Sequence, residues 1–403
     1  MAFNEYVVYP VGDGKVYVKI DRLEILRLIK GVLFDCDGVL IDVRGSYDRA
    51  ISKTVAFILQ NLTGYTFREQ LISDEVIHLF RKTGGFNNDW DTVYGALMFI
   101  ICSLPYELRE KLKRCIKNVE LYLNPYERLA RIKEAMKKEN RREGLGEEFF
   151  EDVTNRFKEF TAILDETGVS SVDAALLEKT EKSEAFANFY NLVKNFLKYP
   201  AGVHDSIISR VFEEFFCGAK LFRETYGTEP KFNKGQGMIE NEKIIPQSET
   251  LNRLASIFGK ENLGIVSGGR LKPARHALGN ILDEFNPYAQ VFLDYIEEAE
   301  WELSIKTGSR VNLKKPNPFP LLKAAENLGQ RAYVLYVGDS MEDALMVRKA
   351  NELDNRFFFA GVYNYSGLKD AVLQTFLESR CDIILPSVNE LPFLFQTLKG
   401  EGW

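Results

Sequence analysis

The chain has 403 residues, of which 45% are hydrophobic, so it is long enough to form two or three domains with apolar cores. Its 58 acidic residues outnumber its 52 Lys and Arg residues, and a net charge of −6 without a long basic block argues against nucleic-acid binding as its main role. Its five cysteines are scattered without a C-x-x-C pair, which argues against a zinc site or a disulfide scaffold and indicates reduced thiols.

A β-hairpin is predicted at the start of the chain. Residues 6–9 and 16–20 have the composition of short strands, with the turn-forming Gly12-Asp13-Gly14 between them, and we assign this hairpin no chemistry. The N-terminus shows no basic start followed by a continuous apolar run, so we expect a cytoplasmic protein. The longest apolar stretch, residues 93–104, is too short to span a bilayer and predicts a buried helix, so we expect no membrane partner.

Two carboxylates follow the next predicted strand. Residues 32–34 form an apolar run typical of a buried strand, Asp35 and Asp37 stand one residue apart at its end, and Gly38 permits a sharp turn. Reactive groups in an open α/β sheet collect beyond the carboxyl ends of the strands, so this pair predicts a site. One acid can bind Mg²⁺ and attack as a nucleophile while the other transfers a proton. The pair alone would also fit a solvated turn or the metal site of a nucleotide-sugar transferase.

A helical domain is predicted after this strand. Apolar residues recur at intervals of three and four in seven segments, which predicts helices over residues 46–61, 73–82, 89–103, 126–139, 147–165, 171–198 and 205–225. We therefore divide the chain into residues 1–45 with the hairpin and first core strand, an inserted helical domain over residues 46–245, and the rest of the core over residues 246–403.

Two segments of the helical domain lack this periodicity, namely residues 83–90 and 231–237. Both are rich in Gly and in hydrogen-bonding side chains, as solvated loops are. An alternative for the first is that it projects functional side chains toward a substrate, because loops carry many binding residues. The candidate substrate contacts in that segment are Asn87, Asn88, Asp89 and Trp90.

Strands and helices alternate after residue 246. Strands are predicted over residues 263–266, 332–337, 357–362 and 382–385, with a further strand or short apolar turn over residues 290–293. Helices are predicted over residues 248–258, 272–282 and 320–328 and from about 341 to 351. This alternation predicts an α/β fold with a doubly wound, Rossmann-like parallel sheet as its core and a mainly α-helical second domain.

Polar residues suited to a single reaction stand at four predicted strand ends. The set comprises a carboxylate nucleophile, a hydroxyl and an ammonium that can hold phosphate oxygens, and further acids that can bind a cation, which is the chemistry of phosphoryl transfer. In chain order the residues are Asp35 with Asp37, then Ser267, then the pair Lys314 and Lys315, and finally Asp339 with Asp343. Asp339 and Asp343 are one helical turn apart, so both can face the same metal ion.

In these motifs the chain resembles the haloacid dehalogenase superfamily of phosphohydrolases. Residues 35–40 (Asp-Cys-Asp-Gly-Val-Leu) are similar to the first motif of that family, and Ser267 to the second. The third corresponds to Lys315 in Lys-Pro-Asn-Pro, and the fourth to Gly338-Asp339-Ser340 through Asp343. Lys315 is preferred over Lys314 because it directly precedes Pro316, as in the family.

The resemblance implies a role for each residue. Asp35 would become an aspartyl-phosphate, Asp37 would act as general acid and then as general base, and Ser267 and Lys315 would hold the phosphate. Mg²⁺ would bind Asp35, the carbonyl of Asp37 and Asp339, with support from Asp343. Beside Ser267, Gly268 and Arg270 are candidate substrate contacts, although Arg270 would equally fit a surface ion pair.

A helical insertion after the first motif resembles the subfamily with an α-helical cap, and by that resemblance the cap would close over the core and choose the substrate. We therefore expect a Mg²⁺-dependent phosphatase acting on a small phosphorylated metabolite. A phosphomutase or phosphotransferase of the same superfamily is an alternative, as is a non-catalytic metabolite-binding protein on the same fold. A dehalogenase would not need Asp37, and a phosphonate hydrolase would need a Schiff-base lysine from the cap that we do not identify. The sequence leaves the oligomeric state open.

Overall fold

The computed structural model describes residues 5–86, 88–139, 145–178, 184–329, 332–366 and 368–400. The chain divides into two compact units. We call Met1–Arg44 with Glu242–Trp403 the core unit, and Gly45–Asn241 the cap unit. Among the described helices, none combines the length and the apolar character needed to cross a membrane.

The core unit is built on a sheet that contains eight strands among the described residues. In chain order the strands of the unit are β1 (Tyr6–Val11), β2 (Gly14–Lys19), β3 (Ile29–Phe34), β4 (Ile41–Asp42), β5 (Lys243–Ile244), β6 (Leu263–Val266), β7 (Gln290–Val291), β8 (Tyr333–Gly338), β9 (Phe357–Val362) and β10 (Ile383–Leu385). The order across the sheet is β1-β2-β10-β9-β8-β3-β6-β7, and β4 pairs with β5 in a separate antiparallel ribbon.

The six strands from β10 to β7 are parallel, which confirms the predicted α/β fold with a Rossmann-like sheet. Strand β3 lies between β8 and β6, and its last residue Phe34 is in register with Val337 of β8 and Ile265 of β6. These central strands are buried, as the apolar sequence of the first one predicts. The residues that follow them therefore lie together at one edge of the sheet.

The predicted N-terminal hairpin is confirmed. Strands β1 and β2 are antiparallel, with Tyr6 opposite Lys19 and Val11 opposite Gly14. Strand β2 also pairs antiparallel with β10, so the hairpin extends the parallel sheet by two strands at one side. The Tyr6 hydroxyl donates to the carbonyl of Cys381 at 2.9 Å, which fixes the hairpin to the segment before β10.

The cap unit consists of helices and their connections. After α1 (Leu23–Leu26) in the core unit, its helices are α2 (Tyr47–Thr63), α3 (Asp74–Lys82), α4 (Asp89–Ser103), α5 (Tyr106–Lys117), α6 (Pro125–Glu139), α7 (Glu147–Thr161), α8 (Val169–Glu178), α9 (Glu184–Leu197) and α10 (Ile207–Tyr226). Helix α4 is buried from Thr92 to Ile101, as its apolar sequence predicts. The unit has its own hydrophobic core, to which all of these cap helices contribute.

The remaining helices belong to the core unit and follow or precede its strands. They are α11 (Ser248–Phe258), α12 (Leu271–Leu278), α13 (Leu293–Thr307), α14 (Phe319–Glu326), α15 (Met341–Leu353), α16 (Lys369–Glu378) and α17 (Leu391–Lys399). Side chains of β3, β8, β9 and β10 share one apolar cluster with α13, α14, α15 and α16.

Some helices of the structure differ from the sequence-based predictions. Of the predicted helix over residues 171–198, the structure describes the parts in α8 and α9, and residues 179–183 between them lie outside the described part of the chain. Helices α5, α16 and α17 were not predicted. Helix α13 lies between the predicted strand or turn over residues 290–293 and the loop that carries Lys315, and it was not recognised because it buries only Ile296 and so lacks a clear apolar stripe.

Candidate active site

Asp35 and Asp37 directly follow β3 at the carboxyl edge of the sheet. The backbone N–H of Asp35 donates to the carbonyl of Val337 at 2.8 Å, so Asp35 still belongs to the ladder between β3 and β8. Its Oδ1 accepts a 2.8 Å hydrogen bond from the backbone N–H of Cys36. The Asp35 side chain is buried, whereas Asp37 is half-buried. The two acids therefore have different environments, as two different roles would require.

Gly38 allows Asp339 to approach the turn after β3. Its φ of 73° lies in the left-handed region, and its N–H donates to the carbonyl of Ile41 at 2.8 Å to close the turn. A Cβ at this position would lie 2.0 Å from Oδ2 of Asp339. Any other residue at position 38 would therefore displace the Asp339 carboxylate. Asp339 directly follows β8 and lies next to Asp35.

Asp343 lies in the first turn of α15, directly after β8, and is fully buried. The Ser340 hydroxyl donates to its Oδ2 at 2.7 Å and accepts its backbone N–H at 3.3 Å, so Ser340 caps the helix and fixes the carboxylate. A Cβ on Gly338 would lie 2.6 Å from the Asp343 side chain. The helix cap thus leaves Oδ1 of Asp343 available for a second partner.

Lys315 is that partner, and it also reaches the first motif. Its Nζ lies 2.8 Å from Oδ1 of Asp343 and 3.1 Å from Oδ1 of Asp35. The Lys315 side chain is 5% exposed. Lys314, in contrast, is 41% exposed and pairs with Glu297 at 3.2 Å. The structure therefore brings Lys315, and not Lys314, to the two acids.

The charges of this cluster depend on one another. Burial raises the pKa of Asp35 to about 6, although the Lys315 ammonium acts in the opposite direction, and the Asp343 carboxylate raises it further. Burial alone would lower the pKa of Lys315, but Asp343 and Asp35 outweigh burial and hold that pKa above its ordinary value. Lys315 is therefore a fixed positive charge between two carboxylates.

The acids of the cluster fit a divalent cation. Asp35, Asp339 and Asp343 each offer an oxygen, and these oxygens lie within 4.8 Å of one another. Carboxylate oxygens are the ligands that Mg²⁺ prefers in proteins. Three carboxylates face a single ammonium, so a divalent cation would offset the remaining negative charge.

Ser267 directly follows β6, which pairs with the strand before the first motif, and is buried. Its Oγ accepts the backbone N–H of Gly269 at 3.0 Å, which orders the turn after the strand, and Gly268 in that turn is exposed. Arg270 pairs with Asp294 at 3.0 Å and with Glu297 at 2.7 Å, so its guanidinium forms the ion pairs that were the alternative to a substrate contact.

The described candidate residues of the cap unit take part in interactions within that unit. Oδ1 of Asn88 accepts the backbone N–H of Trp90 at 3.0 Å at the start of α4. Asp89 pairs with Arg81 at 3.1 Å, and Nε1 of Trp90 donates to Glu213 at 2.9 Å. Asn87 lies outside the described residues. A role for these residues in substrate binding stays a prediction.

Sequence reasoning missed Tyr336, a fully buried residue of β8. Its hydroxyl accepts a 2.7 Å hydrogen bond from Nζ of Lys315 and lies 3.1 Å from Oδ1 of Asp343. The sequence signal for Tyr336 was its position two residues before Gly338 in β8. Residues two apart on a strand face the same side of the sheet, so Tyr336 lies on the same face as Gly338 of the fourth motif. A tyrosine in an apolar strand is otherwise an ordinary core residue.

Comparison with known proteins agrees with this geometry. The family of haloacid dehalogenase-like hydrolases matches residues 29–351. A phosphoglycolate phosphatase of Nitrosospira multiformis is 33% identical over 109 residues, which are 27% of this chain and 41% of that protein. One of Escherichia coli (strain K12) is 31% identical over 124 residues, which are 30% and 46% of the two chains. The chain thus spans less than half the length of these curated relatives.

A solved structure shows the same fold. An X-ray structure from the Northeast Structural Genomics Consortium superimposes on 93% of this chain and 100% of that chain, with a TM-score of 0.62 and 18% sequence identity. The family match extends over more than half of the residues and includes the segments of all four motifs. The chain therefore belongs to the haloacid dehalogenase-like hydrolases.

Proposed function

We propose that this protein is a Mg²⁺-dependent phosphatase that hydrolyses a small phosphorylated metabolite through an aspartyl-phosphate on Asp35. The observation that carries the proposal is the position of Lys315 Nζ, 3.1 Å from Asp35 and 2.8 Å from Asp343, beside the carboxylate of Asp339. Membership of the hydrolase family and the partial similarity to two phosphoglycolate phosphatases support it.

The proposed reaction has two displacements at phosphorus. In the first, a carboxylate oxygen of Asp35 forms a bond to phosphorus while the ester P–O bond breaks, and Asp37 donates a proton to the leaving oxygen. In the second, Asp37 takes a proton from water, whose oxygen bonds to phosphorus as the bond to Asp35 breaks. Inorganic phosphate leaves, and both carboxyl groups return to their starting states.

The other residues would hold the phosphoryl group and balance its charge. The Lys315 ammonium and the Ser267 hydroxyl can bind phosphate oxygens, since both stand at the carboxyl edge of the sheet near Asp35. Asp35, the carbonyl of Asp37 and Asp339 would hold Mg²⁺, with Asp343 in support, and the ion would offset the like charges of carboxylate and phosphate.

The cap unit would select the substrate, with the segment Asn88, Asp89 and Trp90 as candidate contacts. These residues follow a Gly-rich turn at the start of α4, and Trp90 is half-buried. Large aromatic side chains at such positions provide shape selection in small-molecule sites. The assignment is tested by the effect of Trp90→Ala on the order of preference among substrates.

The test of the proposed function is phosphate release from a panel of phosphorylated metabolites with and without Mg²⁺. Phosphoglycolate belongs in the panel because two relatives carry its name. We compare the wild type with Asp35→Asn and with the control Asp283→Asn, an exposed acid of the core unit. We expect Mg²⁺-dependent release that only Asp35→Asn abolishes.

Two other outcomes would change the assignment. If phosphate is consumed from the donor but appears on an added alcohol or sugar and not as inorganic phosphate, the protein is a phosphotransferase. If no metabolite of a broad panel is turned over, and Asp35→Asn binds one of them as well as the wild type does, the protein is a metabolite-binding member of the family.

A further inference from the structure

The Tyr336 hydroxyl is in contact with residues from three of the motif-bearing segments. It accepts a hydrogen bond from Lys315 at 2.7 Å, and the carboxylate of Asp343 and the carbonyl of Val266 each lie 3.1 Å away as acceptors for its single proton. Val266 is the residue before Ser267. One neutral oxygen therefore connects the end of β6, the loop that carries Lys315 between α13 and α14, and the start of α15.

A purely structural role would not require this arrangement. A buried tyrosine hydroxyl needs a hydrogen-bond partner, and the carbonyl of Val266 alone would supply one. The additional contact with the Lys315 ammonium places Tyr336 next to the group that lies between Asp35 and Asp343. The hydroxyl thus has a partner whose position matters for the reaction.

The Lys315 ammonium has three N–H groups, and three acceptors surround it. Oδ1 of Asp35, Oδ1 of Asp343 and the Tyr336 oxygen lie within 3.1 Å of Nζ. A lysine side chain is flexible and its ammonium rotates freely, so two carboxylates on their own leave one N–H undirected. Tyr336 supplies the third acceptor without a third negative charge.

We infer that Tyr336 is a positioning residue, whose hydroxyl holds the Lys315 ammonium between Asp35 and Asp343. This inference rests on the proposed function for its effect on catalysis, but the arrangement itself can be measured without substrate. A bound phosphate group would then contact an ammonium that already points toward the nucleophile. Such preorganisation lowers the reaction barrier because the ammonium does not have to reorient during the reaction.

The kinetic test uses Tyr336→Phe, which removes one oxygen and keeps the ring. Because a misplaced catalytic group can cost up to about 10²-fold in rate, we expect kcat to fall about 10- to 100-fold with little change in KM. The matched control is Tyr333→Phe on the same strand, whose half-buried ring packs against Phe358 at 5.7 Å. We expect wild-type kinetics for that control, and melting temperatures check that both variants are folded.

Two kinetic outcomes would overturn the inference. If Tyr336→Phe lowers KM and leaves kcat unchanged, the hydroxyl competes with phosphate for Lys315 and does not position it. If both variants match the wild type, the hydroxyl has no part in the reaction. If the wild type itself releases no phosphate from any substrate, the proposed function fails and the kinetic test is replaced by the spectroscopic one.

The spectroscopic test follows lysine ammonium groups by ¹⁵N NMR of the substrate-free protein. A buried ammonium with three acceptors exchanges its protons slowly, so we expect one slowly exchanging signal in the wild type and in Tyr333→Phe, assigned by its loss in Lys315→Met. In Tyr336→Phe it should disappear through faster exchange. Persistence of the signal there would contradict the inference, and so would the absence of any such signal from the wild type.

Discussion

The core unit and the cap unit each contain a cluster in which a cation lies between two carboxylates that are buried or half-buried. In the core unit, Lys315 lies between Asp35 and Asp343 and is 5% exposed. In the cap unit, Arg81 lies 2.8 Å from Asp48 and 3.1 Å from Asp89, and its side chain is 30% exposed. The groups are similar in composition, but their places in the fold differ.

Helix ends account for the charges in the cap unit. Asp48 and Asp89 stand in the first turns of α2 and α4, and Arg81 stands in the last turn of α3, so each charge complements the dipole of its helix. In the core unit, Asp343 also stands in the first turn of a helix, α15, but Asp35 follows a parallel strand and Lys315 lies in the loop before α14, so helix ends do not account for the whole cluster. A cluster of charges that secondary structure does not explain is the better indication of reactivity.

The largest expected effect separates Lys315 from its neighbour. Lys315→Met should lower phosphate release at least about 10³-fold, because it removes the positive charge next to the nucleophile. Lys314→Met should stay within about threefold of the wild type, because it breaks only an exposed pair with Glu297. Steady-state rates of phosphate release by the two variants test this prediction. A larger loss of rate in Lys314→Met than in Lys315→Met would assign the phosphate-binding role to Lys314.

The next effect concerns the metal. Asp339→Asn should raise the Mg²⁺ concentration for half-maximal activity at least about tenfold, since it removes one of three clustered carboxylates. Glu352→Gln, an exposed position on α15, is the control. Removal of metal with EDTA should abolish activity, and added Mg²⁺ should restore it. A lower maximal rate with an unchanged Mg²⁺ requirement would show that Asp339 does not bind the metal.

A change in the cap cluster should act on stability. Arg81→Met leaves the carboxylates of Asp48 and Asp89 without their shared cation and should cost about 3 kcal/mol of unfolding free energy, at the low end for a buried pair because Arg81 is partly exposed. Arg68→Met breaks an exposed pair with Glu147 and should cost less than about 0.5 kcal/mol. Urea unfolding measures the free energy of unfolding of both variants. Equal losses would show that the cap cluster stabilises the fold no more than an ordinary surface ion pair does.

The smallest expected effect is a pH dependence from Asp89. Burial raises its pKa from 3.8 to about 6, although Arg81 acts against this shift, and Asp48 adds to it. The folded state therefore binds more protons than the unfolded state between these values, so stability should fall as pH rises from about 4 to about 6. Asp89→Asn should remove this fall, which we expect to be about 3 °C in melting temperature. Parallel melting curves for variant and wild type would refute the shift.

The sequence was most informative where a local pattern determines the structure. The apolar run before Asp35 and the Gly-Asp at residues 338–339 mark strand ends, and parallel strands bring their ends to one edge. Helix α4 begins at Asp89 as predicted, because Asn88 is a strong N-cap residue. The sheet and the strand ends that carry Asp35, Ser267 and Asp339 could therefore be predicted from the sequence. The lysine pair was also predicted at a strand end, but it lies in the loop between α13 and α14.

Contacts between distant residues could not be predicted in the same way. The sequence around Tyr336 is that of an ordinary strand, and its contact with Lys315 is visible only in the structure. The ion pair of Arg81 with Asp48 joins two helices, and no sequence pattern indicates that these residues meet. Helix α13 exposes most of its surface, so its apolar periodicity was too weak to recognise. These features depend on tertiary packing, which overrides local preference.

The ribbon of β4 and β5 has a consequence for how such a protein can change during evolution. Ile41 pairs with Ile244 and Asp42 with Lys243, and a Cβ on Gly45 would lie 3.2 Å from that of Asn241. The two ends of the inserted unit therefore leave the core side by side. Segments joined at adjacent points can be lengthened, exchanged or shortened to a tight turn at little cost in loop-closure entropy. The core unit can thus keep its sheet during evolution while insertions of different length and sequence take the place of the cap unit.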